Sequence, residues 1–357
     1  MPQRSAFLRV AAAAAITALL ATSATAAPRP DPVRQGLDAL VRTDHLPGAL
    51  AAVTGRDGRT RTYTAGAEDG HVRIGSNTKT FTAVVVLQLV GEGRIGLDTP
   101  VDTYLPGLVP GEGITVRQLL QHTSGLPDYE ADVTDDILGR RYLEPRDVLD
   151  IALRHKAAFP PGTGWAYSNT NYVVAGLIVQ RVTGRPLGEE IDKRVIRPLG
   201  LRHTYFPAPG DTTIREPHPA GHHQDAPGAP VRDVTDIDPS AAWAAGQMIS
   251  TNSDLNRFFT ALLTGRLLRP AQLAEMRTTV PLGDTGAGYG LGLMSRPLSC
   301  GGLYWGHGGD ITGYETRGGV TEDGRAAANV TVTIDPTDGA TTKHVEALVD
   351  TALCRSA

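Results

Sequence analysis

A serine and a lysine three positions apart, Ser76 and Lys79, are the first residues whose spacing suggests chemistry. If a helix begins here, the two side chains lie on the same face and can exchange a proton. A serine hydroxyl is a poor nucleophile until a base accepts its proton, and a buried lysine with a lowered pKa can be that base. Free N–H groups at the helix start can also stabilise an oxyanion. The alternative is that Ser76 only caps the helix.

A tyrosine and an amide, Tyr167 and Asn169, form a second candidate in a loop that follows a Pro-Pro-Gly sequence. Residues two positions apart in extended backbone project to the same side. The tyrosine oxygen can relay a proton between Ser76 and a leaving group. The amide can hold Lys79 and a substrate carbonyl. A polar loop that satisfies its own turn hydrogen bonds is the alternative.

A histidine before two glycines, His307-Gly308-Gly309, is the third candidate. Small residues at a strand edge allow a substrate backbone to approach and pair. The imidazole can give the pocket positive or hydrogen-bonding character. A structural histidine at the end of a strand is the alternative.

Several metal-binding side chains also occur close together, at His218, His222, His223 and Asp225. Their Pro- and Gly-rich surroundings favour a solvated loop over a metal site. Because no other segment resembles a cofactor fingerprint, we predict neither a metal nor a cofactor.

The elements that must position these residues follow from the periodicity of apolar residues. Alternation around a turn predicts a β-hairpin near residues 50–65, and residues 78–90 are apolar nearly all round, as in a buried helix. Other helices are predicted near residues 116–121, 145–154, 172–182, 253–264 and 343–353, and other strands near 289–294, 302–305 and 327–334.

This order predicts an α/β protein in which a mostly helical segment interrupts the domain that carries the strands. We assign residues 27–96 and 245–357 to the α/β domain and residues 97–244 to the mostly helical domain, with the active site between them.

Composition narrows the class of protein further. A formal net charge of −4 and the lack of a Lys/Arg run give no reason to expect nucleic acid or an anionic membrane surface as partner. Only four of the 34 basic residues are lysines, which draws attention to Lys79, because arginine cannot give up its proton in a protein. We expect a monomer that binds small molecules.

The N-terminus is typical of an export signal. Arg4 and Arg9 precede an apolar run over residues 10–21, and residues 24–26 form an A-x-A cleavage site. We therefore predict a signal peptide over residues 1–26 and a secreted, extracellular protein without a stable membrane anchor. In an oxidising compartment the two cysteines, Cys300 and Cys354, favour a disulfide over two buried free thiols.

The three candidates occur in an order that resembles the serine β-lactamase and penicillin-binding protein superfamily. The resemblance is closest to the secreted D-alanyl-D-alanine carboxypeptidases of Streptomyces, and it extends to class C β-lactamases and related esterases. It covers nearly all of the chain after the signal. The matching segments are residues 74–79, 119–126, 167–172, 289–293, 298–301 and 306–309.

The resemblance implies a β-lactamase/DD-peptidase-like fold, with an antiparallel sheet flanked by helices. It implies that Ser76 becomes acylated while Lys79 and Tyr167 share the proton transfers. Asn169 would position the substrate, and His307 stands where many relatives have a lysine. The resemblance also supports the pairing of the two cysteines.

The same resemblance implies roles for residues on the strand side of the pocket. The backbone N–H groups of Ser76 and Asp310 would bind the oxyanion. Trp243 resembles an aromatic residue that lines the carboxypeptidase cleft, and core packing is its alternative.

Two departures bear on the substrate. Gly308 and Asp310 replace hydroxyl residues, and the arginine expected to bind a terminal carboxylate falls on Met294, with Arg296 two residues later. An aspartate near that pocket repels a free carboxylate.

The leading functional prediction is a penicillin-reactive D-alanyl-D-alanine carboxypeptidase acting on peptidoglycan-type peptides. An esterase, a D-amino-acid amidase or peptidase, and a β-lactamase of the same fold are the alternatives. A non-catalytic binder of cell-wall peptides or penicillin is an alternative of another class.

Overall fold

The computed structural model describes residues 31–109, 113–133 and 141–355. The predicted signal peptide, residues 1–26, lies outside these described residues. Asp31–Ala357 forms one compact unit. None of the helices in the described ranges is long and apolar enough to cross a membrane.

Short strands, numbered in chain order, build most of the framework. They are β1 (Ala49–Thr54), β2 (Thr60–Ala65), β3 (Val72–Arg73), β4 (His222–His223), β5 (Arg232–Asp233), β6 (Ile249–Ser250), β7 (Val280–Pro281), β8 (Gly288–Tyr289), β9 (Met294–Pro297), β10 (Leu303–Gly306), β11 (Gly309–Ile311), β12 (Tyr314–Thr321) and β13 (Ala327–Val332). Nine of them form one antiparallel sheet in the order β2-β1-β13-β12-β10-β9-β8-β7, in which β11 also pairs with β12.

Helices cover the sheet and fill the middle of the chain. They are α1 (Pro32–Arg42), α2 (Asn77–Gly91), α3 (Val116–Leu120), α4 (Pro145–Ala152), α5 (Thr170–Thr183), α6 (Leu187–Ile191), α7 (Arg197–Leu199), α8 (Trp243–Gly246), α9 (Asn252–Leu263), α10 (Pro270–Met276) and α11 (Gly339–Cys354). Two 3₁₀ turns, Val101–Thr103 and Tyr129–Ala131, and a π-helical turn, Asp192–Ile196, accompany them.

Both faces of the central strand β13 are buried, and its side chains alternate between them. On β13, Val330 belongs to an apolar cluster with residues of α1 and α11. The intervening Asn329 and Thr331 face α9, where they donate hydrogen bonds of 2.8 Å to Asn256 and Asn252. This arrangement confirms the predicted α/β fold with an antiparallel sheet flanked by helices.

The predicted buried helix is α2, which begins directly after Ser76. Its apolar side chains are buried on every side, and Phe81 stacks on Phe258 of α9 with 3.7 Å between ring centroids. The chain leaves the helix through Gly93 at φ 71°, a conformation that glycine adopts without strain. Tertiary packing on every side therefore fixes the element that carries Ser76 and Lys79.

The helices of the middle segment lie between the two stretches of chain that supply the main sheet. Residues 97–244 contain α3 to α7 and the first half of α8, and the strands of the main sheet all lie in residues 49–65 and 280–332. The boundaries of two domains remain a prediction, because residues 31–357 are one compact unit.

One predicted strand is wrong. Residues 289–294 do not form a continuous strand, because the chain turns between β8 and β9. At this turn Gly292 has φ 72°, and a Cβ there would lie 2.6 Å from Ala83 and from the hydroxyl of Tyr172. Close packing of the turn against α2 and α5 overrides the local strand propensity.

The predicted disulfide is present. Cys300 and Cys354 are bonded with 5.7 Å between their Cα atoms. The bond joins the turn between β9 and β10 to the last residue of α11.

Candidate active site

Ser76 lies at the point where the chain leaves β3 and enters α2. Two glycines allow β11 to approach this point closely. A Cβ on Gly75 would lie 2.7 Å from the carbonyl oxygen of Asp310, and one on Gly309 would lie 2.0 Å from that of Ile74. Only residues without a side chain permit this contact, which brings the backbone of Asp310 beside Ser76. This is the arrangement that the predicted oxyanion site requires.

Lys79 faces Ser76 and is fully buried. Its Nζ lies 2.8 Å from the Ser76 Oγ, 2.6 Å from the Asn169 Oδ1 and 2.8 Å from the backbone oxygen of Ala245. The last two are carbonyl oxygens, which can only accept hydrogen bonds. A neutral amine has two hydrogens and one lone pair, so the lone pair is directed at the serine hydroxyl.

The amide of Asn169 is held in one orientation. Its Nδ2 donates to Asp128 Oδ2 at 3.2 Å and to Glu130 Oε2 at 2.8 Å, because an amide NH₂ is a donor and these carboxylate oxygens are acceptors. The amide oxygen therefore faces Lys79. The predicted contact between Asn169 and Lys79 is present, and the two acidic residues that orient the amide were missed by the sequence analysis.

Burial lowers the pKa of Lys79 from its ordinary value to about 7. The negative charges of Asp128, Glu130 and Asp310 act in the opposite direction but are the smaller effect. A substantial fraction of the amine is therefore neutral near pH 7, as a general base requires.

Tyr167 completes the group around the nucleophile. Its Oη donates a hydrogen bond of 2.8 Å to the Ser76 Oγ, although the two residues are 91 positions apart in the chain. Burial raises the pKa of this phenol well above its ordinary value. The group at Ser76 thus contains a neutral phenol that can donate and a lysine amine that can accept a proton.

His307 belongs to a hydrogen-bond chain with Tyr289 and His122. The Tyr289 Oη lies 3.0 Å from Nε2 of both histidines. The His307 Nδ1 faces the Gly308 carbonyl oxygen at 2.6 Å and must donate to it, so its Nε2 accepts from Tyr289. The His122 Nδ1 accepts from the backbone N–H of Ser168, so its Nε2 donates to the tyrosine oxygen.

Both histidines of this hydrogen-bond chain, His122 and His307, are neutral. Burial, followed by the charge of Lys79, lowers the pKa of His307 to about 3 and holds that of His122 well below its ordinary value. Of the two roles predicted for His307, the structure supports hydrogen bonding. The His122 ring also lies against Tyr167, with 4.3 Å between centroids, so it positions that side chain.

The group opens into a cleft of about 630 Å³. Of the predicted site residues, its lining includes Ser76, Tyr167, Asn169, His307, Gly308 and Asp310. Lys79 lies behind Ser76, and Gly309 faces the backbone of Ile74. The structure therefore brings together Ser76 and Lys79 at the start of α2, Tyr167 and Asn169 of the middle segment, and residues 307–310 at β11.

Trp243 is not brought to this cleft. Its ring packs against Gly176 of α5, and a Cβ on that glycine would lie 2.8 Å from the ring. The side chain lines a separate cavity with Gln247 and Phe206. The predicted cleft-lining role is thus not supported, and the alternative of packing is the one observed.

The side of the cleft formed by β9, β11 and β12 carries more charged residues than the sequence analysis indicated. Met294 and Arg296 both line the cleft, as does Arg317, a residue that the analysis did not identify. Arg317 Nη1 lies 2.7 Å from Asp310 Oδ1, and Arg296 Nη1 lies 2.8 Å from Glu346 Oε1. Each guanidinium group is thus already paired with a carboxylate.

The histidine-rich segment does not form a common metal site in the described part of the chain. His222 and His223 form β4, and the His222 Nδ1 lies 3.0 Å from the backbone oxygen of Thr333. His223 pairs with Asp225. The one group among the described residues with metal-ligand spacing is elsewhere, at Asp310, Glu315 and Asp335, whose oxygens lie within 4.8 Å of one another.

Comparison with solved structures finds the same fold. A D-stereospecific amidohydrolase from Streptomyces sp. is 41% identical, with a TM-score of 0.85 over 92% of this chain and 100% of that one. A D-amino acid amidase from Ochrobactrum anthropi SV3 is 30% identical, with a TM-score of 0.81 over 90% of this chain and 96% of that one.

A curated relative is similar over a shorter region. A putative penicillin-binding protein, PbpX of Bacillus subtilis (strain 168), is 30% identical over 237 residues, which are 66% of this chain and 55% of the relative. The chain thus matches only about half the length of that protein. The family model described as Beta-lactamase matches residues 33–352. The chain belongs to the Beta-lactamase family and is a serine hydrolase of the superfamily that also contains penicillin-binding proteins.

Proposed function

We propose that the protein is an amidase or peptidase that cleaves amides of D-amino acids bearing a free amino group, through an acyl-enzyme on Ser76. The observation that carries the acyl-enzyme is the pair of hydrogen-bond contacts that the Ser76 hydroxyl makes. The Ser76 Oγ lies 2.8 Å from both the Lys79 Nζ and the Tyr167 Oη.

Acylation follows from this geometry. The Ser76 Oγ forms a bond to the substrate carbonyl carbon while its proton passes to the Lys79 Nζ, and the oxyanion accepts from the N–H groups of Ser76 and Asp310. When the intermediate collapses, the carbon–nitrogen bond breaks. Tyr167 gives its proton to the leaving nitrogen and is reprotonated by Lys79. Water then attacks the acyl carbon with the same groups acting in reverse.

The charge of the cleft supports the free amino group. Two guanidinium groups line the cleft, and both are already paired with carboxylates. The five carboxylates that line it are Glu130, Asp238, Asp310, Asp335 and Glu346. Such a lining attracts a cationic substrate and disfavours a free terminal carboxylate. The similarity to a D-stereospecific amidohydrolase and to a D-amino acid amidase supports the D configuration.

A comparison of substrates tests the proposal. The substrates are D-phenylalanine amide, its L enantiomer, D-phenylalanine methyl ester and N-acetyl-D-Ala-D-Ala. We expect the highest kcat/KM with the D amide, loss of hydrolysis in Ser76→Ala, and hydrolysis retained in the matched variant Ser253→Ala on α9. A clear preference for the peptide with the free carboxylate would contradict the proposed substrate class.

The D-alanyl-D-alanine carboxypeptidase predicted from the sequence is the second candidate. Arg296 and Arg317 favour it, since both line the cleft. A substrate carboxylate would have to displace Glu346 or Asp310 to pair with them. Higher kcat/KM for N-acetyl-D-Ala-D-Ala than for the D amide would favour this candidate.

A non-catalytic binder is distinguished by mass spectrometry of the intact protein. Incubation with benzylpenicillin should add one acyl group in the wild type and none in Ser76→Ala. An adduct without turnover on any amide, ester or peptide would indicate a binder.

Secretion, a monomeric state and a small peptide or β-lactam substrate remain part of the proposal.

A further inference from the structure

Three carboxylates gather at one end of the catalytic cleft, where β11, β12 and the segment after β13 meet. Asp310, Glu315 and Asp335 each place an oxygen within 4.8 Å of the others. Asp310 and Asp335 line the cleft. We call these three residues the acidic cluster.

Arg317, the cation next to the acidic cluster, does not pair with all of its carboxylate oxygens. Arg317 contacts Asp310 at 2.7 Å and the Glu315 Oε2 at 3.0 Å, and Thr342 donates to that same Oε2. Glu346 is 4.0 Å from Arg317 and is paired with Arg296. Three carboxylates thus contact the two guanidinium groups, and Asp335 adds a fourth carboxylate nearby.

One buried acceptor of the cluster has no donor in the described part of the chain. The Glu315 side chain is buried, with 1% exposure, yet its Oε1 makes no hydrogen bond. Asp335 is only partly buried, and it lines the cleft. A buried carboxylate oxygen without a donor costs free energy, so such a group indicates a missing cationic or hydrogen-bonding partner.

Burial and neighbouring negative charge raise the pKa values of carboxyl groups in the cluster. Burial is the main cause that raises the pKa of Glu315 and of Asp335 to about 7, and for Asp335 the neighbouring Asp310 and Glu315 add to it. Protons therefore occupy part of the cluster at neutral pH, and a bound cation would take their place.

We propose that the acidic cluster is a substrate subsite that binds a primary ammonium group, such as the side-chain amine of a lysine-type D-amino-acid amide. The proposal rests on the proposed function for its substrate class. Two acceptors around a tetrahedral ammonium lie about 4.6 Å apart, a separation within the 4.8 Å limit that the three oxygens share. A single positive charge suits a cluster that already holds Arg317 better than a divalent cation does.

Its position connects the subsite to the reaction. The backbone nitrogen of Asp310 lies 2.8 Å from where a Cβ on Gly75 would be, next to Ser76, and the Asp310 side chain belongs to the cluster. The ammonium would therefore lie within about one side-chain length of the scissile carbonyl. This placement suits a cationic group on the substrate and not a remote effector.

The test compares D-lysine amide with D-norleucine amide, which lacks the side-chain ammonium. In the wild type we expect kcat/KM to be about tenfold higher for the lysine amide. In Asp335→Asn the ratio of the two kcat/KM values should fall to about one. The matched control Asp284→Asn removes the same charge at an exposed position outside the cleft, and it should keep the wild-type ratio. A wild-type ratio of one, or a ratio that survives Asp335→Asn, would overturn the proposal.

A binding measurement separates this proposal from the proposed function. Calorimetric titration of the Ser76→Ala protein with 1,5-diaminopentane needs no turnover. We expect binding that is lost when Asp335→Asn is added, even if the wild type hydrolyses no amide. Titration with CaCl₂ is the other arm. Calcium binding that depends on Asp335, with no binding of the diamine, would assign the cluster to a metal and refute the ammonium subsite.

Discussion

The protonation of Lys79 should control the rate of acylation, and a pH profile tests this directly. The neutral amine is the form that accepts the Ser76 proton. The rate should therefore be lost as pH falls below the pKa of Lys79 and reach a plateau above it. Burial places that pKa at about 7.

The magnitude follows from the shift relative to an ordinary lysine, whose reference value is 10.5. The fall of the pKa from 10.5 to about 7 corresponds to about 5 kcal/mol of differential stabilisation of the neutral amine. At pH 7 about half of the protein would hold a neutral Lys79, whereas an unshifted lysine would be neutral in only about one molecule in three thousand. Below the midpoint we expect kcat/KM to fall about tenfold per pH unit.

The assay is acylation by p-nitrophenyl acetate, which has no ionisable group between pH 5 and 9, with spontaneous hydrolysis subtracted at each pH. Lys79→Arg should be inactive across this range, because its guanidinium group keeps its proton. In Asp335→Asn the midpoint should stay near pH 7, which would separate Lys79 from the acidic cluster. A midpoint above pH 9 in the wild type would refute the assignment of Lys79 as the base.

The other predictions concern single features of the site and fold. Tyr167→Phe should slow acylation by about 10²–10⁴-fold while the melting temperature stays near that of the wild type, and an unchanged rate would remove the phenol from the proton path. Gly309→Ala should lower both expression and activity, because its Cβ would lie 2.0 Å from the Ile74 oxygen; an unaffected variant would show that the contact can relax. Replacing Cys300 and Cys354 together by serine should lower the free energy of unfolding by about 4 kcal/mol, from the entropy of a loop of 54 residues. Chemical denaturation measures that loss, and equal midpoints for variant and wild type would contradict it.

Much of the local structure could be predicted from the sequence. The apolar residues of α2 leave no polar face, so the helix had to be buried, and the catalytic Ser76 and Lys79 lie one turn apart because helix geometry requires it. The hairpin of β1 and β2 and the pairing of the cysteines also followed from local pattern and compartment. Trp243 shows the limit of such reasoning, because one aromatic side chain suits a cleft and a core equally well.

Only the tertiary structure decided which charges meet. Arg317, Glu315 and Asp335 have no local pattern that sets them apart, yet the sheet and the segment after β13 bring them to the same end of the cleft. The neutral state of His307 likewise depends on burial and on the charge of Lys79. A sequence specifies residue types and local periodicity, whereas pKa values and ion pairs depend on burial and on distances between residues far apart in the chain.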